Sequence, residues 1–140
     1  MGLSAVSTLL NDLRADGIRT ELDWVETESA LPVSALDAVV EKLGFSRAEI
    51  DQLVLPKRTL AYRRAKKQAL TLAESVRLAR IARVALAAVE AFEDTADAHQ
   101  WLRRPNRALN GARPVSLLDT DAGARLVEVT LGRIEHGLFS

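Results

Sequence analysis

Cysteine is absent from this 140-residue chain, which removes disulfides and thiolate metal sites together. Only two histidines are present, and neither a glycine-rich phosphate loop nor a paired histidine–carboxylate constellation can be found. No metal, no cofactor and no enzymatic activity are therefore expected. No apolar run nears the roughly 20 residues that span a bilayer. Near the start, Leu9 and Leu10 run straight into Asn11, Asp12 and Asp16, unlike a secretory signal. The expected location is cytoplasmic, away from membranes. Aromatic residues make up 4 % of the chain against 48 % hydrophobic, so a core must be built from aliphatic side chains. With Ala, Leu, Arg and Glu dominant, that favours an all-α fold over sheets.

Net charge is also missing, at +0, but the average hides a segregation. Residues 1–51 carry ten acids and four bases, whereas residues 52–83 carry nine bases and the single acid Glu74. Cationic charge concentrated in one stretch attracts polyanions even when the whole molecule is neutral.

Taken in order, residues 1–30 read as one short helix and an acidic connection. Val6, Leu9, Leu10 and Leu13 share a face between Leu3 and Ala15, and a helix so short must dock on the same chain or on a second copy. Trp24 reads as an anchor over a core edge. Residues 31–70 read as a helix-turn-helix. Leu36, Val39, Val40 and Leu43 recur at helical spacing before Gly44, Ser46-Arg47-Ala48-Glu49 forms a capping box, and a third helix runs from Lys57 to about Gln68. In that layout the third helix enters the major groove. Lys57, Arg58, Thr59, Tyr62 and Arg63 then lie where base edges are reached, while Arg64, Lys66 and Lys67 lie where phosphates pass. Leu60 belongs to the core.

Residues 71–140 form the remaining region. Thr71-Leu72-Ala73-Glu74 is a second capping box opening a long helix to about Phe92. It carries Leu72, Val76, Ala79, Leu86 and Val89 on one face and Leu78, Ile81, Ala85, Ala88 and Phe92 on another, so this helix should be the central spar. Arg77, Arg80 and Arg83 extend the basic field along it, with Arg77 pairing internally with an acid. A helix with Trp101 and Leu102 follows, His99 at its surface, and closes at Pro105. From Pro105 to Pro114 the Asn, Gly and Pro residues are too dense for any regular element, which makes a built corner. Pro114 opens one turn to Leu118, and Thr120 or Asp121 caps a last helix, Ala122 to His136. Gly123 and Gly132 within it mark close approach of another backbone.

These residues also carry a resemblance. Ala98-x-x-Trp101-Leu102, Pro105-Asn106-x-x-Leu109-x-Gly111-x-x-Pro114, Leu117-Leu118-x-Thr120-x-x-Gly123 and Arg133-Ile134-x-His136-Gly137 are similar to the toxin-binding domain of the Xre/MbcA/ParS antitoxins. With Arg58-Thr59-Leu60-x-x-Arg63-Arg64 and Leu72-x-Glu74-Ser75-x-Arg77, the likeness spans about Leu31 to Phe139. It departs from a full Xre-type domain in being short and Arg/Lys-led, which gives weight to backbone contact with DNA. The resemblance implies an antitoxin whose small helical C-terminal domain, packed on the helix-turn-helix region, covers the NAD-binding cleft of a RES-type, NAD-depleting toxin, and which represses its own operon. Toxin contact is then expected from Arg133, His136, Gly137, Leu138, Phe139 and Ser140, and secondarily from Asn106, Arg107 and Arg113. Operator DNA, a homodimer joined through the N-terminal region and the spar, and higher toxin–antitoxin assemblies complete the expected partners. The alternative is a helix-turn-helix regulator with no toxin.

Overall fold

Helix-forming sequence accounts for every regular element among the residues that the computed structural model describes, 30–137. The expected helix at Leu3–Ala15, the anchor Trp24 and the tail Leu138, Phe139 and Ser140 lie outside the described residues. Six α-helices follow in order: α1 Val33–Leu43, α2 Arg47–Leu53, α3 Lys57–Ala65, α4 Leu72–Phe92, α5 Thr95–Arg103 and α6 Asp121–Glu135. Two 3₁₀ turns, Arg107–Leu109 and Pro114–Leu117, fill the corner between α5 and α6.

Local chemistry sets most boundaries. Gly44 ends α1 in the left-handed conformation at φ 73, and Ser46 and Glu49 exchange both bonds of a capping box at the start of α2. Thr71 and Glu74 do the same for α4, and the Thr120 hydroxyl accepts from the Gly123 amide at the start of α6. Such caps satisfy amides that a helix N-terminus leaves open. Two boundaries differ from expectation. Pro32 is the N-cap of α1 rather than its first helical residue. Helix α3, expected to run to about Gln68, stops at Ala65, because Lys67 turns the chain with φ 54.

The spar is α4, which packs against α6, α5, α1 and α2. Ile81, Ala82, Val84, Ala85, Ala88 and Val89 are buried along it, and the small alanines let neighbouring helices approach closely. Leu43, Leu55, Leu102, Leu118 and Leu131 close the core around it. Truncating any one of these to alanine costs about 2–5 kcal/mol by lost transfer energy and cavity formation. The expected apolar stripe does not hold at the first turns. Leu72 and Val76 are exposed, whereas Glu74 and Ser75 turn inward. The reason is polar satisfaction: Ser75 Oγ accepts from the Leu31 amide at 2.8 Å, and Glu74 takes two bonds from Arg63. No helix among the described residues is long and apolar enough to cross a membrane.

Candidate functional site

Helix α3 has no buried residue. It lies on the outside of the bundle, with Leu60 half-buried against the core, and is fastened by polar contacts to three other helices. At its start, Asp51 on α2 accepts from the Lys57 amide at 2.6 Å. Further along, Arg63 reaches Glu74 on α4 through two bonds of 3.2 Å, and Arg64 makes a fork with Asp37 on α1 at 2.6 and 3.0 Å. Burial opposes ionisation of Glu74. The bonds from Arg63 and from Thr71 outweigh it, and the carboxyl is held below its ordinary range.

These fastenings sort the eight expected DNA contacts. Lys57, Arg58, Tyr62, Lys66 and Lys67 are exposed, and Thr59 is half-buried beside them. Arg64 is exposed with its partner Asp37, in a solvated pair of the kind that exchanges partners easily. Arg63 stands apart from the others in its surroundings. Its side chain is 18 % exposed and both ends of its guanidinium are occupied by Glu74 and Gln68, so it anchors the helix instead of pointing outward from it.

The arginines of α4 are corrected. Arg77 turns inward as expected, but donates to the backbone carbonyl of Val54 at 2.7 Å and not to an acid. Arg80 donates to the Asp119 carbonyl, and Arg83 bonds Glu128 at 3.0 Å with Asp121 at 4.0 Å. Arg77 thus ties α4 to the end of α2, while Arg80 and Arg83 stitch it to α6 and its approach, and of the three only Arg83 has its charge matched by carboxylates.

A second stitch ties α5 to the turn between α1 and α2. Arg103 forks onto Glu49 at 2.8 and 3.2 Å, donates to the Gly44 carbonyl at 3.2 Å, and sits 5.5 Å from the centre of the Phe45 ring. His99, one turn earlier, is no surface residue as expected: its ring lies where a Cβ on Gly44 would fall, and its Nε2 is buried without a hydrogen-bond partner. Desolvation, aided by the charge of Arg103, holds the imidazole below its ordinary value.

The C-terminal face is assembled around the corner. Phe92 and Trp101 pack with ring centroids 5.8 Å apart and tilted by 46°, fixing the end of α4 to α5. Asn106 then organises the corner: its side chain accepts from Ala108 at 2.8 Å, its amide donates to Ala112 and its carbonyl accepts from Gly111. Asn110 and Gly111 supply consecutive positive φ values, 56 and 81, which is why the sequence is dense in Asn and Gly there. Arg107 and Arg113 at this corner are exposed, as are Arg133, His136 and Gly137 at the end of α6.

On α6 the sequence pattern concealed one feature. Leu126 and Val129 are 48 % and 52 % exposed, although they sit at apolar positions of a helical repeat. Helical geometry puts residues 126, 129, 133 and 136 on one face. An uncovered apolar pair thus leads along α6 toward Arg133 and His136. The signal in the sequence was an apolar set too large for one buried stripe.

Comparison with known proteins matches each half of this layout. Residues 26–83 match the family described as the antitoxin Xre-like helix-turn-helix domain, and residues 87–137 that described as the antitoxin Xre/MbcA/ParS C-terminal toxin-binding domain. A protein of Photorhabdus laumondii named Antitoxin Xre is 38% identical over 112 residues, covering 79% of this chain and 76% of its own. Another Antitoxin Xre, from Yersinia enterocolitica, is 37% identical over 131 residues, with 81% and 88% covered. A Sphingobium protein named Prs ADP-ribosylating antitoxin is 34% identical over 99 residues, covering 64% of this chain and 62% of its own. With a helix-turn-helix whose basic helix faces outward and a corner-built helical domain behind it, the chain belongs to the Xre antitoxin family.

Proposed function

We propose that this antitoxin neutralises a RES-type, NAD-depleting toxin by laying the exposed face of α6 and the C-terminal tail over its nucleotide cleft, and that it represses its own operon as a cytoplasmic homodimer. The observation that supports the toxin half is the alignment of Leu126 and Val129 with Arg133 and His136 on one face of the toxin-binding domain. Apolar anchors beside a cation suit a partner cleft that is itself partly apolar and lined by carboxylates. Gly137 and the tail Leu138, Phe139 and Ser140 are assigned to the same toxin contact, with Asn106, Arg107 and Arg113 of the corner as secondary contacts.

The DNA half rests on α3. Lys57, Arg58, Thr59 and Tyr62 present their side chains for base edges, with Arg64, Lys66 and Lys67 for phosphates. Reading two half-sites calls for two copies, joined through the N-terminal region and the spar. Higher assemblies follow once toxin is bound.

A second reading of the toxin is favoured by one specific similarity, to the Sphingobium protein whose name pairs it with ADP-ribosylation of Prs. Both toxin chemistries consume NAD, and they differ in where the ADP-ribose goes. The test is to express the chain with its genomic neighbour and measure intracellular NAD together with ADP-ribose attached to protein. NAD loss without protein labelling, prevented by the chain, is the expected result. NAD loss with protein labelling selects the second reading, and protection of neither kind overturns both.

A further inference from the structure

We infer that Arg103, which lies inside the toxin-binding domain, is a positioning residue for operator contact, acting through α2 on the first turn of the recognition helix. This rests on the operator-binding reading given above.

The argument is geometric. The second half of α3 is held directly, by Arg63 to Glu74 and by Arg64 to Asp37. Its first half, which carries Lys57, Arg58 and Thr59, takes its fixed point from Asp51 on α2, whose carboxylate receives the Lys57 amide at 2.6 Å. Helix α2 is seven residues long, too short to hold its own orientation without tertiary contacts. Glu49 and Asp51 are two residues apart on it, so they leave the helix on different sides. Asp51 faces α3 and Glu49 faces α5.

On the α5 side Arg103 does four things at once. Its Nε and one terminal nitrogen fork onto Glu49, the same terminal nitrogen reaches the Gly44 carbonyl, the other reaches the His99 carbonyl, and its carbon lies over the Phe45 ring. Glu49 meanwhile closes the capping box with the Ser46 amide at 2.9 Å. One guanidinium therefore fixes the turn before α2, the cap of α2 and its outward carboxylate. A planar fork is required for this, and an ammonium in its place keeps the charge while losing the paired geometry. The seat is completed by His99, whose ring fills the space beside Gly44 that any side chain would need.

The contact spans 54 residues of sequence and joins the two segments matched by the two antitoxin families. A displacement of α5, such as a partner gripping the adjoining corner could impose, would reach the DNA-facing end of α3 through Glu49 and Asp51. Direct contact of Arg103 with DNA is not part of the inference.

The experiment titrates the full chain against two labelled duplexes of equal length, the region upstream of its own gene and a scrambled version, following anisotropy. Wild type, Arg103→Lys, Glu49→Gln and Asp51→Ala are compared below their melting temperatures, with active protein counted by stoichiometric titration. The expected result is about a tenfold loss of operator affinity in each variant, within the range of coupled contacts, with affinity for the scrambled duplex unchanged. Arg103→Lys combined with Glu49→Gln should be no weaker than the worse single variant. If Arg103→Lys proves too unstable, Glu49→Gln from the other side of the fork carries the test. Unchanged operator affinity in the folded variants overturns the inference while leaving operator binding standing, and so does an equal loss on both duplexes. A wild type that does not distinguish the two duplexes removes the operator reading itself and the inference with it.

Discussion

The backbone of Gly123 lies against the carbonyl oxygen of Leu117, so closely that a Cβ there would fall inside contact distance of that oxygen and 3.0 Å from both the carbonyl carbon and the Thr120 hydroxyl. Gly132, nine residues along the same helix, has nothing within 4 Å of where its Cβ would be. Gly123→Ala should therefore force the 3₁₀ turn Pro114–Leu117 away from α6 and cost about 1–3 kcal/mol, as overpacking does. Gly132→Ala should instead add up to about 1 kcal/mol by helix propensity. Urea unfolding of the two variants checks the pair. Equal effects of the same sign would mean that the corner does not pack as described.

The two glycines also show where sequence reading ends. Both were read as close-approach sites, and Gly123 is one while Gly132 is not. Local signals were legible: the capping boxes at Ser46 and Thr71, the end of α1 at Gly44, the turn at Pro114 and the Asn-Gly corner are each settled within a few residues by backbone chemistry. What stayed hidden depends on distant partners. Arg63, Arg83 and Arg103 look like free surface cations in sequence, yet their acids lie 11, 45 and 54 residues away. His99 looked exposed because the turn that covers it comes from α1. Periodicity shows which residues of a helix are apolar, but the neighbouring helices decide which of them are covered, so Leu72 and Val76, expected on the apolar face of the spar, are open, as are the apolar positions Leu126 and Val129 of α6.

That last group separates stability from binding. Since Leu126 and Val129 are half exposed, Leu126→Gln and Val129→Gln should each leave stability within about 0.5 kcal/mol of wild type. If α6 is laid against a toxin, the same changes should weaken the complex at least about tenfold, as loss of buried apolar anchors does. Thermal melts and titration with the purified toxin measure the two effects. Normal toxin binding by the double variant would move the contact surface off this face.

Acid should loosen the molecule in two stages. The His99 imidazole is held below its ordinary value of 6.5 by desolvation and by the charge of Arg103. The native state thus favours the neutral ring, and its contribution is complete above pH 6.5 and lost as pH falls through the lowered value. Glu49 and Glu74 follow. Burial opposes their ionisation, but bonds from Arg103 with Ser46, and from Arg63 with Thr71, hold both below 4.5. Their contribution is present above that pH and disappears on further acidification. Urea midpoints measured from pH 8 to pH 3 should show both declines, and His99→Gln should abolish the upper one alone. A flat profile between pH 7 and pH 5 in the wild type would contradict the buried setting of this ring.

Salt dependence distinguishes a cation that meets phosphate from one that holds the helix in place. Lys66 is exposed at the end of α3. If it neutralises a phosphate, Lys66→Gln should reduce the slope of log affinity against log salt by about 0.9 while weakening all duplexes alike. Arg63→Gln should behave otherwise. Its charge is already matched by Glu74, so the slope should stay as in wild type, while the melting temperature falls because a buried carboxylate has lost its fork. Measuring affinity at several salt concentrations alongside thermal melts gives both quantities for both variants. A reduced slope for Arg63→Gln with an unchanged melting temperature would return Arg63 to the DNA-contacting set and remove it from the fastening of α3 to the spar.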